Sequence, residues 1–156
     1  MLASPNRNTL APVSIAYHCD PTLRCTFIVW DGDVTPEQWV EQVERVAGDR
    51  AFPPGPLLFG DLSTVGDAPS ITTDVIAEMA RRWLTHANGT QPDAAVAIVA
   101  NRSRDKVRQF VLELERSGIR AMVFEEHRAA CTWLGLDTES ARTILKGLRE
   151  DAAVSA

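Results

Sequence analysis

The chain has 156 residues, of which 45% are hydrophobic and 24% are charged, and its formal net charge is −5. This length suits one domain, and the composition is typical of a folded globular protein rather than a disordered one. The negative charge argues against a general affinity for nucleic acids or anionic membranes, so neither is expected as a partner.

Neither a membrane span nor a secretory signal is predicted. No apolar run approaches the roughly 18 residues that a membrane-spanning helix requires. Residues 1–12 lack the basic start and apolar core of a secretory signal and are predicted to form a flexible arm. Cys19, Cys25 and Cys131 show neither metal-ligand spacing nor a disulfide framework, so reduced thiols are expected. The sequence therefore predicts a cytoplasmic protein with no metal and no other cofactor.

The first predicted elements are a β-hairpin and a helix. Residues 13–18 alternate apolar and polar side chains, and residues 23–32 return as a second strand after a short turn. Two strands with so short a connection are expected to pair antiparallel. A helix follows, because Thr35 and Gln38 form a capping-box pattern and Pro36 fits the first helical position.

Strands and helices then alternate along the chain. Proline and glycine predict loops at residues 49–56 and 87–93. The remaining predicted elements are, in chain order, a strand at 57–62, a helix with an apolar stripe from Val75, a strand at 94–100, a helix ending at Gly118, a strand at 119–124, a short helix reaching Gly135, and a last amphipathic helix with a polar tail. The uniformly apolar strand at 94–100 is predicted to be interior and covered on both faces.

This order predicts an α/β fold built on a single mixed β-sheet. The opening hairpin contributes an antiparallel edge, and the later strands are mostly parallel, because each is followed by a crossover helix. The helices are expected to pack on the sheet.

Three segments of the chain carry a resemblance to a known family. "VWDGDVTPEQW" is similar to the family's strand, glycine and Thr-Pro-Glu helix start, and "LLFGDLS" is similar to its next strand. The run from Ala95 to Gly135 is similar to a strand, a helix, a short strand ending in Val-Phe, and a helix with an A..WL pattern. On these segments the chain resembles the SpoIIAA-like family, which is related to the STAS domain of bacterial anti-sigma-factor antagonists.

The resemblance covers residues 13–135 as one SpoIIAA-like domain, with a C-terminal helix and tail at 136–156. It implies a cytoplasmic, non-enzymatic protein that regulates by binding a partner protein. Whether the chain also forms a homodimer stays open from the sequence. The surface expected to bind the partner is formed by residues 63–74 and the start of the third helix, because these loops should open at neighbouring strand ends.

The resemblance also implies candidate modification sites. Switching members of the family are phosphorylated on a serine at the start of the second helix, and the matching positions here are Ser70, Thr72 and Thr73. The family pattern is an Asp-Ser pair, often followed by glycine, whereas this chain reads "DAPSI" at residues 67–71. The same hydroxyls also suit helix capping, which requires no modification.

A second candidate site lies at the start of the third helix. Arg102 and Arg104 follow an interior strand, where helix N-termini can bind anions, and with Ser103 they are candidates for an anion-binding or partner-binding site. The alternative interpretation is a solvated helix face that Ser103 caps.

Two other functions remain open from the sequence. A small-molecule or lipid-like carrier of the Sec14-related type would use its apolar residues to line a cavity rather than to fill a core. An enzyme would require converging titratable groups, but the histidines are scattered along the chain and Cys131 is expected to be a packed thiol. Three aspartates lie at predicted strand ends, where they suit turns as well as acid–base chemistry: Asp31, Asp33 and Asp61.

Overall fold

A computed structural model describes residues 14–49, 57–86 and 94–155. The arm predicted at 1–12, most of the loop predicted at 49–56 and the whole loop predicted at 87–93 lie outside the described residues. The description of the molecule below refers to the described ranges.

One five-stranded sheet forms the centre of the described fold. Its strands, in both chain and spatial order, are β1 (Ser14–Asp20), β2 (Cys25–Asp31), β3 (Leu57–Thr64), β4 (Ala95–Ala100) and β5 (Arg120–Phe124). β1 pairs antiparallel with β2, and the other neighbours pair parallel. This arrangement confirms the predicted α/β fold with a single mixed sheet. All of β4 is buried, as predicted for an interior strand.

Helices cover both faces of this sheet in the described part of the chain. They are α1 (Pro36–Ala47), α2 (Thr73–His86), α3 (Arg104–Arg116), α4 (His127–Leu134) and α5 (Thr138–Ser155). The first three pack on one face, and α4 and α5 pack on the other. None of the described helices is both long enough and apolar enough to cross a membrane.

The predicted start of α1 is confirmed atom by atom. The Thr35 hydroxyl accepts a hydrogen bond from the Gln38 backbone N–H at 3.2 Å, and the Gln38 side chain accepts one from the Thr35 N–H at 2.8 Å. Pro36 occupies the start of the helix. The capping box therefore satisfies two backbone donors that the first helical turn would leave without partners.

The face under α1, α2 and α3 contains an aromatic cluster. Trp39 lies at the centre of this cluster, with Trp30 at 4.8 Å, Phe110 at 5.3 Å and Trp83 at 6.5 Å between ring centroids. All three tryptophans are buried. Trp133 belongs to the other face, where it is half-buried against Phe124.

The C-terminal helix α5 is part of the second core. Its apolar stripe, which includes Ala141, Leu145 and Leu148, is buried together with Phe27 and Phe59 of the sheet. The helix continues to Ser155, into the segment predicted to be a polar tail. α5 therefore covers the sheet face opposite α1, α2 and α3.

Candidate functional site

A buried carboxylate lies near the end of β3. Side chains alternate along a strand, so Asp61 points to the same face of the sheet as Phe59, toward α4 and α5. The Asp61 side chain is only 1% exposed. A carboxylate removed from water in this way destabilises the fold unless hydrogen bonds replace its hydration.

Asp61 has hydrogen-bond partners on both carboxylate oxygens. Its Oδ1 accepts from the Ser63 hydroxyl at 2.7 Å and from the Ser63 backbone N–H at 3.0 Å. Its Oδ2 lies 2.8 Å from His127 Nε2 and 2.8 Å from Arg149 Nη2. Arg149 also donates to the Ser63 and Thr64 hydroxyls, at 3.1 Å each. We call these five residues the edge network.

These contacts keep Asp61 ionised at neutral pH. Burial alone would raise the pKa of the Asp61 carboxyl, but the hydrogen bonds from His127 and Ser63 outweigh burial and hold this pKa well below its ordinary value. Because an ionised carboxylate only accepts hydrogen bonds, His127 donates through Nε2. The edge network is thus a satisfied set of charges rather than an isolated buried charge.

The edge network joins three elements of the fold. Asp61 belongs to β3, His127 is the first residue of α4, and Arg149 lies near the end of α5. The His127 ring also stacks on Phe59, with ring centroids 6.1 Å apart. The network therefore fixes both helices of the second core to the end of β3.

The thiol near His127 is not activated. Cys131 follows His127 by one helical turn and is 1% exposed, and burial raises the pKa of its thiol. A raised pKa disfavours the thiolate, which is the nucleophilic form of cysteine. The hydrogen bond to Asp61 fixes the orientation of the His127 imidazole. The neighbouring Cys131 thiol is not a reactive nucleophile that this imidazole could activate.

A groove of about 760 Å³ opens between α4 and α5, and Asp61 is among its lining residues. Other charged groups of both signs also line the groove: Glu125, Glu126, Arg128, Arg142, Lys146, Arg149 and Glu150. Because basic and acidic groups balance, the groove does not favour an anion over a cation.

The loop that leads into α2 is attached to the start of α3. Lys106 Nζ donates hydrogen bonds to the backbone oxygens of Asp67 and Ala68, and Arg102 pairs with the Asp67 carboxylate at 2.9 Å. Asn101 donates to the Ser63 carbonyl at 3.3 Å. These contacts bring together the two segments that were predicted from the sequence to bind a partner. We call residues 63–74 and 101–106 the loop–α3 surface.

The three candidate phospho-acceptors lie on this surface and are exposed. Ser70 lies in the turn before α2, Thr72 directly precedes the helix, and Thr73 is its first residue. The Thr72 hydroxyl accepts a long hydrogen bond from the Val75 N–H at 3.4 Å. The capping position at α2 is therefore that of Thr72, and Ser70 lies outside the helix.

The candidate anion residues point to different neighbours. Arg102 pairs with Asp67, and Arg104 pairs with Glu125 after β5. Ser103 precedes α3, but its side chain makes no capping hydrogen bond, and its buried hydroxyl has no partner in the described structure. The two arginines therefore do not converge on one anion position.

A small cavity lies on the α1–α3 face of the sheet. It measures about 80 Å³ and is lined by apolar side chains that include Trp30 and Trp39, with Ser103 also at its wall. The indole N–H groups of both tryptophans are buried without a partner in the described structure. The cavity is much smaller than the roughly 300 Å³ or more that is typical of ligand pockets.

Comparison with known proteins does not identify a family. No protein-family model matches the chain, and no curated protein matches its sequence. The SpoIIAA-like assignment therefore stays a prediction, whereas the α/β fold rests on the structure itself. The described residues contain no cluster of histidine, cysteine and carboxylate side chains that could bind a metal ion.

Sequence reasoning did not predict the edge network. The available signal was Asp61 itself, since strand alternation in "LLFGDL" places it on the same buried face as Phe59. A carboxylate in that position needs basic partners, but nothing local indicates which ones. His127 and Arg149 are distant in sequence, so only the fold shows that they reach Asp61.

Proposed function

We propose that this chain is a non-enzymatic protein–protein interaction module with a regulatory role, similar in type to STAS domains. It acts in the cytoplasm and binds its partner protein at the loop–α3 surface. The supporting observation is that Lys106, Arg102 and Asn101 hold the β3–α2 loop against α3. A surface that is ordered before binding loses less conformational entropy when the partner docks.

The backbone of the loop supports this interpretation. Ala68 adopts a left-handed conformation with φ of 48°, which a residue with a β-carbon rarely takes. Lys106 donates to the carbonyl of this residue, and the Ala68 side chain is buried. The loop is therefore held in one shape, and its neighbours Pro69 and Ser70 are presented to solvent.

Phosphorylation provides a mode of regulation at the same surface. Ser70, Thr72 and Thr73 are exposed beside the N-terminal end of α2, where backbone N–H groups and the helix dipole favour a phosphate. A phosphate on Ser70 would also lie in the same loop as Asp67, which pairs with Arg102. Modification would thus change the charge of the docking surface without entering the core.

The alternative hypothesis of a Sec14-related carrier receives less support. Such a carrier requires a cavity of several hundred cubic ångströms between helices and sheet. The apolar cavity on the α1–α3 face holds about 80 Å³, and the larger groove of about 760 Å³ between α4 and α5 is lined mostly by charged side chains. The interaction module is therefore the function that the geometry favours.

The proposal is tested by native mass spectrometry of the tagged chain purified from its own cells. The test variant is Ser70→Arg with Asp105→Arg, two exposed positions on the loop–α3 surface with no side-chain partner in the described structure. The control is Thr132→Arg with Asp151→Arg, which makes the same charge change at exposed positions of α4 and α5.

The wild type and the control should carry a partner protein that the test variant loses by about tenfold or more. That partner should bind the purified wild-type chain with the same variant dependence. Equal binding by the test variant and the wild type would overturn the proposal. Peptide mass spectrometry of the same samples identifies phosphorylated residues. If Ser70, Thr72 and Thr73 all lack phosphate, the proposed regulation by phosphorylation is wrong, but the proposed docking surface is unaffected.

A further inference from the structure

One edge of the sheet is flanked by exposed apolar side chains. β5 is the last strand, so its edge away from β4 has no partner strand in the described structure. Two large hydrophobic side chains are exposed among the described residues, Leu112 of α3 at 47% and Met122 of β5 at 44%. The opposite edge strand, β1, has none among its described side chains. An unprotected strand edge is a template for pairing with another chain.

Leu112 lies at the solvent-facing margin of the α3 flank that faces this free edge. Lys106 and Gln109 bond the loop and start of α2, and these contacts define the α2-facing flank of α3. Arg104 pairs with Glu125, which directly follows β5, and therefore marks the opposite flank. Arg108 and Glu115 follow Arg104 by four and eleven residues, so a rotation of about 100° per residue places both within about 40° of it. Leu112 lies between them in sequence and is turned about 80° from Arg104, toward solvent.

Leu112 and Met122 also lie at the same height along the sheet. A helix rises about 1.5 Å per residue, so Leu112 is about 6 Å from the α3 end at Arg116. A strand rises about 3.3 Å per residue, so Met122 is about 6.6 Å from the β5 start at Arg120. A short turn joins these two ends, and the observed Arg104–Glu125 pair agrees with this alignment.

The charged residues around Leu112 can pair with the same residues of a second copy of the chain. Arg108 precedes Leu112 by four residues, and Glu115 follows it by three, and neither side chain has an ion-pair partner in the described structure. If two copies of α3 pack antiparallel about Leu112, Arg108 of each copy faces Glu115 of the other. The two side chains then differ in height by about 1.5 Å, which is within reach of an ion pair.

We propose that the chain forms a symmetric homodimer through this edge. β5 pairs antiparallel with β5 of a second copy, with the two Met122 residues beside the twofold axis, and the two sheets become one ten-stranded sheet. On the face that carries α1, α2 and α3, the two α3 helices pack through Leu112 and are joined by two Arg108–Glu115 ion pairs. The same patch on both copies is the isologous interface that twofold symmetry requires.

The dimer is tested by sedimentation velocity and light scattering of the purified chain, from about 1 to about 100 μM. The wild type should have twice the mass of one chain. Leu112→Glu and Met122→Glu each place like charges beside the twofold axis and should weaken dimerisation by about a hundredfold or more. Ala77→Glu, an exposed position on α2, is the matched control and should remain dimeric.

Charge reversal identifies the interface more sharply. Arg108→Glu alone and Glu115→Arg alone should each weaken the dimer by about tenfold, because each places like charges opposite one another. The double variant restores the pairing with reversed polarity and should recover the affinity of the wild type. Far-ultraviolet circular dichroism and thermal unfolding verify that each variant is folded.

Three results would overturn the proposed dimer. The first is a monomeric wild type at the highest concentration, and the second is a dimer that Leu112→Glu and Met122→Glu leave unchanged. The third is a double variant whose loss of dimer affinity equals the sum of the losses of the two single variants, since non-interacting sites behave additively. None of these results affects the proposed partner surface, because the loop–α3 surface contains neither Arg108 nor Leu112 nor Glu115.

Discussion

Asp61 shows how a single polar residue can organise part of this fold. Taking a carboxylate out of water destabilises a protein by several kcal/mol unless hydrogen bonds and charges replace the lost hydration. Ser63 supplies two hydrogen bonds, and His127 and Arg149 supply two more contacts from α4 and α5. The contacts that compensate for burial are therefore the contacts that attach two helices to β3.

Removal of this charge should destabilise the protein strongly. Asp61→Asn keeps the shape of the side chain but leaves Arg149 and His127 without an anionic partner, and we expect a loss of about 3 kcal/mol in the free energy of unfolding. Urea denaturation followed by circular dichroism measures this loss. Asp31→Asn is the matched control, because Asp31 is also a strand-end aspartate but is exposed. Similar effects of the two substitutions would contradict the structural role of Asp61.

The same carboxylate should make the stability depend on pH. The pKa of Asp61 is held below its ordinary value in the folded protein, so the unfolded chain binds more protons between the two pKa values. The stabilisation is complete above the unfolded-state pKa of about 3.9 and is lost as the pH falls below it toward the folded-state pKa.

Unfolding of the wild type and of Asp61→Asn at about pH 6 and about pH 3 measures this effect. The difference between the two proteins should shrink at the lower pH, because a protonated aspartic acid resembles asparagine in charge. A difference of constant size would show that the Asp61 charge does not contribute to stability.

At the scale of elements, α1 depends on a local signal. Thr35 and Gln38 satisfy each other's backbone N–H groups, and both contacts lie within four residues of sequence. A capping box forms its hydrogen bonds in any tertiary context, because both of its residues are close in sequence. The helix start could therefore be predicted without knowledge of the tertiary structure.

Thr35→Ala should destabilise the protein by about 1 kcal/mol, because a backbone donor at the start of α1 loses its partner. Gln38→Ala should have a smaller effect, and the double variant should lose less than the sum of the two single losses, since the two side chains act as one motif. Chemical denaturation of the four proteins measures this coupling. Strict additivity would indicate that the capping box does not act as a unit.

At the scale of the whole molecule, α3 separates two proposed surfaces. Lys106 and Gln109 face the loop before α2, whereas Arg104 faces the residue after β5. The partner protein is proposed to bind the first flank, and the second copy of the chain is proposed to bind the second. The helix is wide enough for both because its opposite sides lie about 10 Å apart.

We therefore expect the two associations to be separable. Leu112→Glu should abolish the dimer but leave partner binding within about threefold of the wild type, because Leu112 lies outside the loop–α3 surface, about 9 Å along the helix from Lys106. Ser70→Arg, which lies in the loop before α2 and away from α3, should do the reverse. Sedimentation velocity and calorimetric titration with the purified partner measure both properties on each variant. Loss of both properties in either folded variant would show that the two surfaces overlap.

Much of the fold follows from local pattern, and the particular strands show why. β4 is a continuous apolar run, which indicates an interior strand, and the short connection before Cys25 requires an antiparallel hairpin. The ends of elements also depend on how distant strands pair. β3 extends to Thr64, two residues beyond the predicted end. The β2–β3 register shifts after Val29 and Asp61, with the extra residue in β3, and Asp31 then pairs with Thr64.

Local sequence patterns are enough to establish the order of strands and helices, the mixed sheet, the start of α1 and the residues that form the apolar stripes. These properties depend on interactions between residues that are near one another in the chain, or on periodicity that any sheet or helix imposes. The packing of distant elements is what brings His127 and Arg149 to Asp61 and Lys106 to the loop before α2. It also places Leu112 and Met122 near the same edge of the sheet. Those pairings depend on how distant elements are placed in space, which no local pattern encodes.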